Sequence, residues 1–104
     1  TLKQMEKMVS VKAELTRIEN ELKTVRGERQ QIFSDQKRLR ANLKGLGQTA
    51  EEKGLRSRYI QQLGEQETRL GEMEQQEKSL KTQQKRQKRA LEALIATLSQ
   101  DLRI

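Results

Sequence analysis

A 3–4 spacing of apolar residues, broken once by a glycine-rich segment, predicts an all-α protein: an antiparallel two-helix coiled-coil hairpin with a left-handed supercoil. Three observations carry this reading. The spacing runs in unbroken steps of three and four from Met8 to Leu46 and again from Tyr59 to Leu98. Between the two runs, Gly45, Gly47 and Gly54 fall within ten residues. With 36% charged residues, 32% hydrophobic, 2% aromatic and no proline, the 104-residue chain is too poor in apolar side chains for a compact globule, whereas two helices sharing one seam need far fewer. A disordered chain would share the charge but would not hold the periodicity.

The first arm is assigned to 1–46. Met8, Val11, Leu15, Ile18, Leu22, Val25, Arg29, Ile32, Gln36, Leu39, Leu43 and Leu46 fill the a and d positions of a heptad, with a at 8, 15, 22, 29, 36 and 43. Gly27 lies off this seam and costs about 1 kcal/mol relative to Ala without ending the helix.

The turn is assigned to 47–54. Gly47 can close the first helix in a positive-φ conformation, and Thr49 with Glu52 three residues on reads as a capping box for the second. The second arm, 55–104, repeats the pattern with more polar interruptions: Tyr59, Leu63, Gln66, Leu70, Met73, Glu77, Leu80, Gln84, Gln87, Leu91, Leu94 and Leu98, with a at 63, 70, 77, 84, 91 and 98.

If the arms fold back on each other, facing residue numbers add to a constant. A sum of 102 sets Leu43 on Tyr59, Leu39 on Leu63, Ile32 on Leu70, Leu22 on Leu80 and Val11 on Leu91. It also sets Gln36 opposite Gln66, where two amides can satisfy each other and fix the register, with Arg29 and Glu77 one layer apart for a diagonal pair. A sum of 95 makes a tighter turn but leaves Gln36 against Tyr59 and Arg29 against Gln66, so 102 is preferred. The structural competitor is a parallel homodimer of unbroken helices, which the glycine cluster and the cap signal oppose. Each arm of about 45 residues would rise close to 68 Å.

Other features remain outside the seam. At the end away from the turn, Leu2, Met5, Val9, Ile95, Leu102 and Ile104 are apolar off the heptad, beside Ala90, Ala93 and Ala96. They are expected to dock on the rest of a longer parent protein or on a second copy. Thr1 in place of an initiator Met, at the start of an already periodic pattern, leads to the expectation that the chain is a piece of something longer. Spread around the helix, these apolar residues favour a protein contact over a membrane surface.

The 22 Lys and Arg outnumber the 15 Asp and Glu, for a net charge of +7. The excess gathers in Lys37, Arg38, Arg40, Lys44, Lys53, Arg56 and Arg58 around the turn, and in Lys81, Lys85, Arg86, Lys88 and Arg89 on the second arm. Such clusters can neutralise the phosphates of nucleic acid or anionic lipid. They also keep coiled coils in solution, and no aromatics are interleaved for stacking on bases. The solvated face is therefore the preferred reading and the polyanion site the alternative.

With no His and no Cys, the chain lacks an imidazole base, a thiol nucleophile and the usual metal ligands, and it has no phosphate-cradling glycine loop. Catalysis, a cofactor and a metal are not expected, and Glu51 with Glu52 supply too few oxygens for calcium. No apolar run reaches the ~18 residues of a membrane span, and the opening residues show no signal-peptide pattern, so the sequence assigns no compartment.

Asp35-Gln36, Arg38, Arg40, Asn42-Leu43 and Leu46, then Leu55, Arg58-Tyr59, Leu63, Gln66-Glu67 and Leu70, followed by Leu91, Ile95 and Leu98, resemble the C-terminal coiled-coil hairpin of a bacterial family of unknown function that includes the mucoidy-inhibitor-A-like proteins. The resemblance is concentrated in residues 30 to 70, with Asn-Leu before the turn and Arg-Tyr after it as its most specific features, while Gly64 and Gly71 depart towards a plain coil pattern. It implies β-rich domains elsewhere in the full protein and a bacterial cell-envelope setting, and carries over no catalytic residues. The functional expectation is a coiled-coil module that spaces, docks or oligomerises a larger protein, with a protein partner at the tip. The alternatives are a basic arm for a polyanion and a stalk-like part of a secretion apparatus.

Overall fold

The computed structural model describes residues 2–103 and contains two helices, α1 (Leu2–Lys44) and α2 (Ala50–Leu102), joined by residues 45–49. The chain is an all-α antiparallel hairpin. Absence of proline removes the strongest helix breaker. Thr16, Thr24, Thr68, Thr82 and Thr97 each donate their Oγ1 hydroxyl to the carbonyl four residues earlier at 3.0–3.2 Å, so these side chains bond within the helix they occupy.

Every a and d residue of the predicted seam, from Met8 to Leu46 and from Tyr59 to Leu98, is buried or half-buried. The chain divides into two compact units. In the open-end unit, Thr1–Thr24 with Glu77–Ile104, the core is Ile18, Leu22 and Leu80, and burial thins to half-buried Met8, Leu94 and Leu98 towards the chain ends. In the tip unit, Val25–Gln76, the core is Val25, Leu39 and Met73, together with the amide of Gln36.

The connection differs from the expected 47–54. α1 stops at Lys44, where Gly45 N and Leu46 N donate to the carbonyls of Asn42 and Leu43, both at 3.2 Å, tightening the last turn to three-residue spacing. α2 starts at Ala50, not at 55, because the capping box begins the helix instead of lying inside the bend. Glu52 N donates to Thr49 Oγ1 (3.1 Å), Thr49 N donates to Glu52 Oε1 (3.4 Å), and Lys53 N donates to Thr49 O (2.9 Å). Gly54 is then helical.

Gly47 does not adopt positive φ; no described glycine does. Its requirement is steric and polar. Gly47 N donates to Glu52 Oε2 at 2.5 Å, and a Cβ at this position would sit 3.0 Å from that oxygen. The carboxylate bonded to two backbone amides occupies the space a side chain would need.

Cross-helix hydrogen bonds fix the register. In the tip unit the partners' numbers add to 97 for Glu28 and Arg69, 101 for Asp35 and Gln66, 103 for Gln36 and Glu67, and 102 for Leu46 and Arg56. In the open-end unit they add to 105 for Gln4 and Asp101 and 100 for Arg17 and Gln83. These centre on 102, not 95. A short connection is compatible with this sum because 45–49 runs on past the end of α1 alongside the first two turns of α2, where Arg56 Nη2 reaches the carbonyls of Leu46 (3.1 Å) and Gly47 (3.3 Å). By this register Lys44 is level with Arg58, so the stretch Ala50–Ser57 extends about 12 Å past the end of α1, at 1.5 Å per residue. The tip is therefore helix flanked by the 45–49 strap.

Candidate interaction surfaces

A two-helix seam leaves two flanks, one lined by g positions of both helices and one by e positions, and the tip unit shows which is which. On the g flank Arg69 forks onto Glu28 (Nε to Oε2 2.6 Å, Nη2 to Oε1 3.1 Å) and also reaches Glu72 at 3.3 Å. Asp35, on the same flank, accepts from Arg38 Nε (2.8 Å) and from Gln66 Nε2 (2.6 Å). Arg69 holds the Glu28 carboxyl below its usual range; Arg38, and then Gln66, do the same for Asp35.

The predicted Gln36–Gln66 amide pair does not form. Gln36 Nε2 donates outward to Glu67 Oε1 (2.9 Å) and Gln66 donates to Asp35, leaving Gln66 Oε1 buried without a partner among the described residues. Each amide finds a carboxylate within reach, and a charged acceptor binds an N–H more strongly than a neutral amide oxygen does. Of the other pair expected to set the register, Arg29 is half-buried in the tip unit, and Glu77 is buried in the open-end unit with Lys81 Nζ at 3.4 Å.

The turn cluster of cations separates into structural and free members. Arg56 is half-buried and tied to the strap, and Arg38 is tied to Asp35. Lys37, Arg40, Lys44, Lys53 and Arg58 are exposed, with no side-chain partner among the described residues. Glu52 is held below the usual carboxylate range, first by the Gly47 amide and then by Thr49, so its oxygens serve the cap and not a cation site. In the second cluster, Lys85, Arg86, Lys88 and Arg89 are exposed; Lys85 and Lys88 lie at b and e positions on the e flank of the open-end unit, while Arg86 and Arg89 lie at c and f positions that face away from the seam.

At the open end, Leu2, Met5, Val9, Ile95 and Leu102 are all strongly exposed; Ile104 lies outside the described residues. These five occupy only b and e positions of the heptad, so within this unit they share one flank instead of being spread around the helix. Met5, Val9 and Lys12 border a groove of about 180 Å³ floored by Met8 and Leu98. The g flank of the same unit carries a shallower groove of about 450 Å³ lined by Lys7, Ser10, Val11, Ala90, Ala93, Leu94 and Thr97. Glu14 and Glu21 stand on that flank, both paired with Arg17, which lowers the Glu14 carboxyl.

Two exposed apolar residues escaped the sequence reading: Phe33, 51% exposed, and Ile60, 55% exposed. Both are at e positions of the tip unit. The signal was present in the heptad as an apolar residue one step outside d on each arm. Among the described residues no helix is long and apolar enough to cross a membrane. No family model, curated protein or solved structure matches the chain.

Proposed function

We propose that this coiled-coil hairpin is a docking module whose open end packs its e flank against an apolar surface of a protein partner, a second copy included. The observation that carries the reading is the gathering of Leu2, Met5, Val9, Ile95 and Leu102 on one flank, beside a groove already floored by seam residues. Covering such side chains contributes roughly 1.5–3 kcal/mol each when burial is complete. No residue of the hairpin's own seam is left to cover them, since Met8, Leu94 and Leu98 already face inward. The likeness around the turn to the mucoidy-inhibitor-A-like hairpins agrees with a module of this kind, working as an arm of a larger bacterial protein.

The test is sedimentation velocity across a concentration series, with the second copy as probe. Reversible association is expected for the natural chain and its loss for a Met5→Glu, Val9→Glu, Ile95→Glu variant that keeps its helical circular dichroism. A natural chain that stays monomeric throughout and binds no anilinonaphthalene sulfonate at this end would reject the reading.

A further inference from the structure

We propose that the e flank of the tip unit is a docking surface for an anionic lipid bilayer. The two flanks of this unit are chemically unlike. On the g flank the carboxylates of Glu28 and Asp35 are neutralised by Arg69 and Arg38. The opposite flank presents Phe33, Lys37, Arg40 and Lys44 from α1 and Lys53, Ser57, Ile60 and Gly64 from α2, each set at the same spacing of four, three and four, which aligns it along one helical face. There is no acid between 36 and 44 or between 53 and 64. The four cations are exposed and unpaired among the described residues. Glu67, the next acidic residue along that flank of α2, accepts a hydrogen bond from the neutral Gln36 amide.

The apolar members decide what kind of anion this face fits. Phe33 and Ile60 are half-exposed, although Leu39, Leu43, Tyr59 and Leu63 already fill the neighbouring seam positions. A nucleic-acid duplex would use the cations but gives a Phe and an Ile at backbone level nothing to contact. A protein hot spot clusters its anchors. Here the register of 102 sets Ile60 level with residue 42, about 14 Å along the axis from Phe33, with Arg40 and Lys37 between them. Apolar side chains standing apart among cations suit a lipid surface, where each enters between headgroups and each cation meets a phosphate. This inference does not depend on what the open end docks to.

The protein contains no Trp, so Phe33→Trp makes a single reporter. Its emission is expected to shift blue with mixed phosphatidylglycerol–phosphatidylcholine vesicles and to stay unchanged with phosphatidylcholine alone. In vesicle co-sedimentation, affinity should fall as salt rises, and by on the order of fivefold for each of Lys37→Gln, Arg40→Gln, Lys44→Gln and Lys53→Gln. Ile60→Ser should weaken binding without changing its salt dependence, while Lys85→Gln with Lys88→Gln should leave it unaltered. The proposal is overturned by an unshifted Trp on anionic vesicles, or by equal losses from the 85/88 variant. It is equally overturned by tighter binding to a DNA duplex that Ile60→Ser does not affect.

Discussion

At the scale of single residues, Glu52 shows how little chemistry is needed to end one helix and begin another. Its carboxylate bonds the amides of Gly47 and Thr49 while Thr49 caps its own amide in return, and Arg56 secures the strap carbonyls one turn further on. Thr49→Ala is expected to lower stability by about 1 kcal/mol in urea unfolding. Because the folded carboxyl titrates below its unfolded value of 4.5, its contribution is complete above the unfolded pKa and is lost as pH falls through the folded one. Asp35, Glu28 and Glu14 are shifted in the same direction by their Arg partners, so the thermal midpoint should fall in the acid range below about pH 5. A Glu52→Gln variant should show a smaller fall than the natural chain.

Within an element, glycine has opposite meanings at different positions. Gly27, Gly54, Gly64 and Gly71 lie inside helices, and a Cβ at any of them meets nothing within 4 Å. Replacing each by Ala should stabilise the fold by roughly 0.5–1 kcal/mol, read as a higher thermal midpoint. Gly47→Ala should move the midpoint down, since the new Cβ crowds the Glu52 carboxylate. The seam is the other determinant at this scale. Leu39 is fully buried, and Leu39→Ala should cost about 2–5 kcal/mol, more than any of the surface changes.

For the molecule as a whole, chain reversal is the property that separates this fold from its parallel competitor. A cysteine pair at 18 and 84 in the open-end unit, and another at 39 and 63 in the tip unit, should each oxidise within one chain at a rate independent of concentration. Disulfide-linked dimers on a non-reducing gel would instead support parallel helices, and rapid closure of 39 with 56 would favour the register of 95. In both units the exposed large apolar side chains stand on b or e positions, whereas Glu14, Glu21, Glu28 and Asp35 occupy successive g positions. Heptad lettering alone contains that asymmetry, but it becomes a statement about surfaces only once Glu28 and Arg69 are seen to meet, which makes g face g and leaves e beside e.

The fold class, every seam residue and the capping box were legible in the sequence, because heptad spacing and capping depend on residues only three or four apart, a range over which a helix has one geometry. Side-chain partner choice was not legible. Gln36 and Gln66 could have bonded each other, and only the placement of Glu67 and Asp35 across the seam drew them apart. Nor was it legible that the connection would run on past α1 alongside α2, so that a short turn and a register centred beyond it coexist. Local spacing determined which residues are helical and which face inward; the tertiary structure decided which charges are already satisfied, and so which of them remain free to meet a partner.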